Sequence, residues 1–283
     1  MLIKAEDLAS IIHSGTAPVP KVLDVRWHLG MVNARKNYDD GHIPLSVFVD
    51  LDRDLSGRPA MVGARHPLPE PEVWAETLRS WGLDNDSHVV VYDESGGTVA
   101  ARAWWMLRWA GLRSVRILDG GWQEWTRLHL PVAVGPGNPV WPGTFQFVGP
   151  SMPVVDADGV AGCSGDGKSL LDARVQGRYT GKEGAQIDRR LGHIPGAKNM
   201  PALDLVSDDW TLRPPEEIRS VLAARGVQSP EDAANTAAYC GSGVNASFLV
   251  FAMEYAGLPG ASLYPGSFSE WGADLSRPVE AGA

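Results

Sequence analysis

A single cysteine, Cys240, stands in a sequence pattern that could support nucleophilic chemistry. It directly follows a short apolar run, and it precedes a glycine-containing loop and a second apolar run of helical length. At a strand-to-helix turn, backbone N–H groups and the positive end of the helix stabilise an anion and lower the pKa of a thiol. Gly241 and Gly243 would let the backbone curl around the sulfur. The pattern therefore favours a thiolate nucleophile, or an anionic sulfur adduct held by peptide amides.

The second cysteine, Cys163, lies in the Gly- and Ser-rich stretch GVAGCSGDGK. We expect it to be a small buried side chain without a chemical role. Two cysteines do not suggest a disulfide scaffold in a chain of this length, and without further ligands they cannot form a four-ligand zinc site. We expect no metal ion and no organic cofactor.

The elements that must position Cys240 belong to an ordinary globular chain of 283 residues, with 44% hydrophobic and 21% charged residues. The formal net charge of −9 argues against binding to nucleic acid, which requires clustered Lys and Arg. No apolar run approaches the length of a membrane-spanning helix, and the first ten residues lack the features of a signal peptide. We therefore expect a cytoplasmic protein without membrane association.

The chain contains one internal repeat, which sets the architecture. Four blocks recur in the same order and at nearly constant spacing: VLDVR (22–26) as LLDAR (170–174), GHIP (41–44) as GHIP (192–195), VVVYDESGG (89–97) as TAAYCGSGV (236–244), and LDGGWQEW (118–125) as YPGSFSEW (264–271). The repeat predicts two copies of one fold. We expect an N-terminal domain over residues 1–135, a Pro- and Gly-rich linker over residues 136–152, and a C-terminal domain over residues 153–283.

Within each copy, short apolar runs alternate with amphipathic stretches. The runs VLDV, HVVVY, SVRIL, LLDA, NTAAY and ASLY are typical of buried strands. The stretches EVWAETLRSWG, AARAWWMLRWAG, EEIRSVLAARG and ASFLVFAMEYAG are typical of helices that end near glycine. This alternation predicts an α/β fold in which each domain has a parallel sheet with helices on both faces. Because ligands of such sheets bind beyond the carboxyl ends of the strands, the site is expected at Cys240.

With these features the chain resembles the tandem-domain rhodaneses, a family of sulfurtransferases with an inactive N-terminal domain and a catalytic C-terminal domain. The resemblance rests on the two GHIP blocks, the closing blocks LDGGWQEW and YPGSFSEW, and the cysteine loop. It implies two tandem rhodanese-like domains. In the first copy Asp93 occupies the position of Cys240, and a carboxylate cannot perform thiolate chemistry. We therefore expect the N-terminal domain to be inactive.

The loop CGSGV resembles that of family members that use 3-mercaptopyruvate as the sulfur donor. Members specific for thiosulfate carry basic residues after the cysteine, and residues 240–247 contain none. Asn245 stands where the mercaptopyruvate pattern usually has threonine. The resemblance implies transfer of sulfur from 3-mercaptopyruvate, through a Cys240 persulfide, to a thiol acceptor such as thioredoxin or a small thiol, or to cyanide.

The resemblance also implies which residues bind the substrate. Arg178, in QGRYTG, matches the family's substrate-binding arginine, whose guanidinium fork holds a carboxylate. The loop residues expected to contact the substrate are Gly241, Gly243, Val244, Asn245 and Ala246. The family's mercaptopyruvate members use a second arginine before GHIP. Here the segment KEGAQIDRR does not align cleanly, and either Arg189 or Arg190 could serve.

A proton relay is implied by the same resemblance. In mercaptopyruvate members the loop serine joins an aspartate and a histidine from the N-terminal domain, and Ser242, Asp52 and His66 match these residues. Histidine can pass a proton near neutral pH, and a carboxylate fixes its tautomer. By contrast, the GHIP histidines, His42 and His193, occur in both copies, and we expect them to have structural roles. The same reasoning applies to Arg174 and its counterpart Arg26.

Three other functions are considered. A Cys-loop phosphatase needs an arginine six positions after its cysteine, and position 246 is alanine. A carrier that only receives a persulfide would not need Arg178 or the set of Ser242, His66 and Asp52. A thiosulfate sulfurtransferase remains the alternative within the enzyme class.

Overall fold

The computed structural model of the chain describes residues 1–15, 18–58, 63–163 and 168–282. Contacts divide the chain into two compact units. Unit 1 comprises Met1–Ser56, Pro69–Ser151 and Ser207–Leu212, and unit 2 comprises Gly57–Leu68, Met152–Val206 and Arg213–Ala283. The segment 57–68 therefore packs with the C-terminal half of the chain, although it belongs to the N-terminal half by sequence.

Unit 1 is built around one parallel sheet. Its elements are β1 (Leu2–Ile3), α1 (Ala5–Ser14), β2 (Lys21–Asp24), α2 (Ala34–Asp40), β3 (Ser46–Phe48), α3 (Leu51–Asp54), α4 (Pro71–Ser80), β4 (Val89–Tyr92), α5 (Ala100–Trp109), β5 (Val115–Leu118) and α6 (Gly121–Arg127). The strands pair in the order β1-β5-β4-β2-β3, and each described pairing is parallel. All four residues of β4 are buried, as expected for a central strand covered on both faces.

Unit 2 repeats this plan with a smaller sheet. Its elements are α7 (Ala157–Cys163), β6 (Ser169–Asp172), α8 (Gln176–Tyr179), β7 (Lys198–Asn199), a 3-10 helix (Ala202–Leu205), α9 (Pro215–Ala223), α10 (Pro230–Ala234), β8 (Thr236–Tyr239), α11 (Val244–Tyr255), β9 (Ser262–Leu263) and α12 (Ser267–Trp271). The strands pair in parallel in the order β7-β6-β8-β9.

Helices cover both faces of the sheet in unit 2. Side chains on alternate residues of a strand point to opposite faces. Leu170 and Ala237 pack in one cluster with residues of α7 and α12, while α11 contacts β8 and β9 and packs beside α9. Most of α11 is buried, including Phe248 and Phe251, so this helix is apolar around most of its circumference. The rigid sheet and α11 together fix the loop between β8 and α11.

The predicted α/β class, with a parallel sheet and helices on both faces, is confirmed. The predicted strands and helices all occur, and most of their ends agree within one or two residues. The short strands β1, β3 and β7 were not predicted, because two or three residues carry too little periodicity. Within the described residues, no helix combines the length and the apolar character needed to span a membrane.

Candidate active site

Cys240 lies directly after β8, at the carboxyl end of a fully buried strand. Gly243 precedes α11 with a φ of 83°, a left-handed conformation that a residue with a Cβ adopts only with strain. The helix begins at Val244, two residues before the predicted helical stretch ASFLVFAMEYAG. The sequence therefore places the thiol at a strand-to-helix turn because β8 ends at Tyr239 and only a glycine readily makes the turn into α11.

The sulfur of Cys240 is buried but lies among polar groups. The residue is 4% exposed, and the Gly243 N–H donates a hydrogen bond to Sγ at 3.2 Å. The Cys240 N–H donates to Ser267 Oγ at 3.1 Å. The carbonyls of Cys240 and Gly241 accept hydrogen bonds, each 2.9 Å, from the N–H groups of Phe268 and Ser269. These bonds tie the loop to the start of α12, and the Gly243 N–H faces the sulfur.

The matching loop of unit 1 shows what this backbone conformation binds. The buried carboxylate of Asp93 accepts four backbone hydrogen bonds of 2.7–2.9 Å, from the N–H groups of Ser95, Gly97, Val99 and Ala100. By position in the repeat, these donors correspond to the amides of residues 242, 244, 246 and 247. The loop of unit 1 thus holds an anion through backbone amides alone, which supports the same capacity in unit 2.

Ser242 and His66 lie in contact within unit 2. The Nδ1 atom of His66 is 2.8 Å from Ser242 Oγ, and both residues are buried. His66 reaches the loop because its segment is tied to α12, where the Arg65 N–H donates to Ser269 Oγ at 3.1 Å. Ser242 lies two residues after Cys240, so this pair can transfer a proton close to the thiol.

Asp52, the third predicted member of the relay, lies in unit 1. It occupies the first turn of α3 and accepts a hydrogen bond from Trp27 Nε1 at 3.2 Å. The cap of that helix is Asp50, whose carboxylate accepts the N–H groups of Asp52 and Arg53. The participation of Asp52 in the relay stays a prediction.

Arg178 approaches the loop from α8. Its Nε and Nη2 atoms donate to the two carboxylate oxygens of Asp188 at 2.9 and 2.6 Å. A Cβ placed on Gly241 would lie 2.7 Å from Arg178 Nη2 and 2.6 Å from Arg65 Nη2. Position 241 therefore needs glycine to leave space for two guanidinium groups.

Asp188 is the acceptor around which three arginines gather. Besides binding Arg178, it lies 3.5 Å from Arg174 Nη1 and 4.0 Å from Arg65 Nη1. Burial lowers the pKa of Arg174, but the charge and hydrogen bonds of Asp172 outweigh it and raise that pKa above its usual value. Burial and the charge of Arg178 lower the pKa of Arg65, against opposing contributions from Asp188 and Cys240.

Arg190, one of the two alternatives for the second arginine, binds elsewhere in unit 2. Arg190 donates from Nη1 to the carbonyls of Asp274 and Arg277 at 3.3 and 2.6 Å, and Arg189 is exposed. Sequence reasoning missed Asp188 and Arg65. No local sequence pattern indicates that the guanidiniums of Arg65 and Arg178 meet beside Gly241, since Arg65 lies far from Gly241 along the chain.

The duplicated residues make the same contacts in both units. Arg26 binds Asp24 and the carbonyl of Gly41, as Arg174 binds Asp172 and the carbonyl of Gly192. Arg174 thus pairs with the acid two residues before it, as Arg26 does in unit 1. Each GHIP histidine has its Nδ1 2.9 Å from a tyrosine carbonyl, that of Tyr38 for His42 and that of Tyr179 for His193. These repeated contacts support structural roles.

The remaining predicted site residues form the start of α11. Val244 and Ala246 are buried, whereas Asn245 is half-buried.

Cys163 packs in the apolar core of unit 2, where its Sγ donates to the Gly159 carbonyl at 3.4 Å. The loop residues 164–167 lie outside the described residues. In the part of the chain that the structure describes, no group of three or more His, Cys, Asp and Glu side chains could hold a metal ion.

The sequence matches the rhodanese-like domain family over residues 4–128 and again over residues 157–274. It is 41% identical to a Pseudomonas aeruginosa protein named "Probable 3-mercaptopyruvate sulfurtransferase", over 99% of this chain and 98% of that protein. It is 33% identical to the thiosulfate sulfurtransferase of Cricetulus griseus, over 95% of this chain and 91% of that protein. The crystal structure of SseA from Escherichia coli, a structure with the "Rhodanese" fold of 3-mercaptopyruvate sulfotransferases, is similar with a TM-score of 0.82 and 33% identity, over 95% of this chain and 99% of that chain.

Proposed function

This chain belongs to the rhodanese family, with two copies of the domain in tandem, and we propose that it transfers sulfur from 3-mercaptopyruvate to a thiol or to cyanide. The predicted family and the predicted enzyme class, sulfurtransferase, are confirmed by the relatives. In this proposal unit 2 carries the chemistry on Cys240. Unit 1 is inactive, because Asp93 occupies the corresponding position and its carboxylate fills the amide loop.

In the first step the Cys240 thiolate attacks the sulfur of 3-mercaptopyruvate. A bond forms between Sγ and the donor sulfur, and the carbon–sulfur bond of the donor breaks. The electron pair of that bond passes to the leaving group, a pyruvate enolate, which takes up a proton at carbon to become pyruvate. The proton of the donor thiol balances this uptake, and the products are pyruvate and a Cys240 persulfide anion.

The observation that carries this assignment is the 2.8 Å contact between Ser242 Oγ and His66 Nδ1. A leaving enolate has to be protonated, whereas the sulfite that leaves thiosulfate needs no proton at carbon. A serine and a histidine in hydrogen-bond contact, two residues from the nucleophile, provide that proton transfer. We assign Asp52 to the same relay as the residue that fixes the tautomer of His66.

The donor must also be held by its carboxylate. Arg178 is 16% exposed at its side chain and lies beside Gly241, so its guanidinium can bind a carboxylate that enters next to Cys240. The amides of Gly241, Gly243, Val244, Asn245 and Ala246 would then surround the transferred sulfur.

In the second step an acceptor thiol, such as thioredoxin or a small thiol, attacks the outer sulfur of the persulfide. The sulfur–sulfur bond breaks and its electron pair returns to Cys240, so the acceptor leaves as a persulfide. With cyanide as the acceptor the product is thiocyanate. The loop amides stabilise the sulfur anion before and after this step.

A side-by-side kinetic comparison tests the proposal. We expect a higher kcat/KM with 3-mercaptopyruvate than with thiosulfate, release of one pyruvate per sulfur transferred, and a mass increase of one sulfur on Cys240 before acceptor is added. A preference for thiosulfate would overturn the donor assignment. Persulfide formation without turnover to any small thiol or cyanide would instead favour a carrier.

One observation favours thiosulfate as a second candidate. The loop itself carries no basic residue, but the guanidiniums of Arg65 and Arg178 lie against Gly241 and supply positive charge from outside the loop. A compact dianion could bind there. In that case the Ser242 hydroxyl would be dispensable, and Ser242→Ala would retain transfer from thiosulfate.

A further inference from the structure

We propose that Arg65 is the second arginine of the donor site, and that it forms with Arg178 a clamp for the carboxylate of the sulfur donor. The proposal rests on the proposed function and extends it, since it assigns a specificity-determining residue outside the segment where the sequence placed one.

Arg65 and Arg178 approach Gly241 from two different segments of unit 2, and their Nη2 atoms would lie 2.6 and 2.7 Å from a Cβ at that residue. Gly241 adjoins Cys240 directly. A donor carboxylate that binds both guanidiniums is therefore held beside the nucleophile, Cys240.

The guanidiniums of Arg65 and Arg178 carry more positive charge than Asp188 balances. Arg174 has its own carboxylate partner in Asp172, with Nη2 and Oδ2 2.6 Å apart. Within the described residues, the carboxylate paired with both Arg178 and Arg65 is that of Asp188, at 2.6 and 4.0 Å respectively. The pair thus keeps one positive charge in excess of its acceptor. A donor with one carboxylate supplies the missing negative charge.

The guanidinium of Arg65 has unused hydrogen-bond donors. Arg65 Nη1 donates to the carbonyl of Ile187 at 2.9 Å, but its Nε is buried without a hydrogen-bond partner. A buried donor without an acceptor is costly. Because the guanidinium presents its remaining N–H groups as a planar fork, a carboxylate oxygen can satisfy them.

The backbone at Arg65 is fixed relative to the cysteine loop through α12. The Arg65 N–H binds Ser269 Oγ, and the Ser269 N–H binds the carbonyl of Gly241. One serine of α12 therefore sets the distance between the Arg65 backbone and the cysteine loop. The next residue, His66, reaches Ser242. Two consecutive residues would thus supply a substrate-binding cation and a proton-transfer group.

The test compares two donors that differ only in the carboxylate. Mercaptoacetone has a methyl group where 3-mercaptopyruvate has its carboxylate. For Arg65→Ala we expect kcat/KM with 3-mercaptopyruvate to fall about 10- to 100-fold, mainly through KM, and kcat/KM with mercaptoacetone to stay within about twofold. An equal loss with both donors, or no loss with either, would overturn the proposal.

Two further variants test whether a loss of activity comes from misfolding or from the removal of any arginine. Arg65→Gln keeps a polar but uncharged side chain, and both variants keep the backbone bond to Ser269, so at least one should fold as the parent does. Arg219→Ala serves as the control, since Arg219 also donates to a backbone carbonyl, that of Ala256 at 2.8 Å. We expect its kinetics to match those of the parent protein.

A binding measurement separates this proposal from the proposed function. Calorimetric titration of 3-mercaptopyruvate into the Cys240→Ser protein follows binding without turnover. We expect the additional Arg65→Ala change to weaken the affinity about 10-fold or more. Unchanged affinity would refute the clamp, whereas Arg65-dependent binding by a parent protein that cannot transfer sulfur would refute the proposed function alone.

Discussion

The Nδ1 atom of His66 lies 2.8 Å from the hydroxyl oxygen of Ser242, although the two residues are far apart in sequence. Both side chains are buried, so bulk water has limited access to the proton between them. Transfer from mercaptopyruvate needs that proton for the leaving enolate. We expect Ser242→Ala to lower kcat with 3-mercaptopyruvate about 100-fold.

The same variant should change thiosulfate transfer by less than about threefold, because sulfite needs no proton at carbon. Ser220→Ala, on the exposed side of α9, is the matched control and should behave as the parent. Steady-state kinetics with both donors check the prediction. If Ser242→Ala impairs the two donors equally, the hydroxyl supports the loop rather than the proton transfer.

Cys240 and Cys163 should respond in opposite ways to removal of the thiol. Cys240→Ser should abolish sulfur transfer and prevent the added sulfur seen by mass spectrometry, since the hydroxyl oxygen is not a comparable nucleophile. Cys163→Ala should retain transfer, and it should lower the free energy of unfolding by about 1 kcal/mol because Cys163 packs in the core of unit 2. Transfer by the Cys240→Ser protein would remove the central assignment.

The two loop glycines are required for different reasons, and alanine should reveal this. At Gly241 the backbone tolerates a Cβ, but the methyl would collide with the ends of Arg65 and Arg178. We expect Gly241→Ala to fold normally and to raise KM for 3-mercaptopyruvate about 10-fold, because both guanidiniums must move.

At Gly243 the limit is the backbone itself, with its φ of 83°. Gly243→Ala should therefore cost about 1–2 kcal/mol of stability, and it should lower kcat because the Gly243 N–H binds the Cys240 sulfur. Urea unfolding and kinetics separate the two variants. Similar losses of stability in both would contradict this division.

How much of the site was predictable follows from where its parts lie in the sequence. The position of Cys240 was predictable, because the strand, the glycines and the helix are local features and the repeat aligned them with the stretch around Asp93. The roles of Arg178 and Ser242 were implied by the family resemblance at the positions where this sequence matches it. The contact of His66 with Ser242 was inferred from family resemblance, since no local pattern links residues so distant in sequence.

The arginine cluster was not predictable for a physical reason. Asp188 is one acid in the mixed stretch KEGAQIDRR, and only the fold shows that Asp188 is buried while Arg189 is exposed. Arg65 reaches the loop because the segment 57–68 packs with unit 2. A sequence reading that assigned it to residues 1–135 had no basis for placing its guanidinium beside Gly241.

Asp93 should be essential to the stability of unit 1. Its carboxylate accepts four backbone N–H groups, including those of Gly97 and Ala100, and it is buried. In Asp93→Asn an amide NH₂ must face N–H donors, so at least one donor loses its acceptor. We expect a loss of about 2–4 kcal/mol in the free energy of unfolding.

Differential scanning calorimetry, together with a spectroscopic probe placed in each unit, would measure this loss. Asp39→Asn is the control, because Asp39 is an exposed acid whose pair with Arg35 on α2 should contribute less than about 1 kcal/mol. Stability equal to the parent in Asp93→Asn would show that the four amides do not depend on a carboxylate, and it would weaken the analogy with the sulfur anion on Cys240.

Asp188 should matter to both stability and donor binding, since it is the shared acceptor of the cluster. Its side chain is 2% exposed and binds Arg178 through two hydrogen bonds, with Arg174 3.5 Å away. Removing one partner of a buried ion pair leaves an uncompensated charge and costs about 3–5 kcal/mol. We expect Asp188→Asn to destabilise the protein by an amount near that range.

The excess positive charge of Arg65 and Arg178 predicts a second measurable effect of Asp188→Asn. An added anion that enters the donor site, such as pyruvate, should raise the Tm of Asp188→Asn by more than it raises the Tm of the parent, because it partly replaces the lost carboxylate. Asp158→Asn is the control: Asp158 pairs with Arg277 at 2.6 Å but is 88% exposed, so its loss should cost under about 1 kcal/mol without an anion effect. An equal Tm response of Asp188→Asn and the parent would show that Asp188 does not compete with a bound carboxylate for the two guanidiniums.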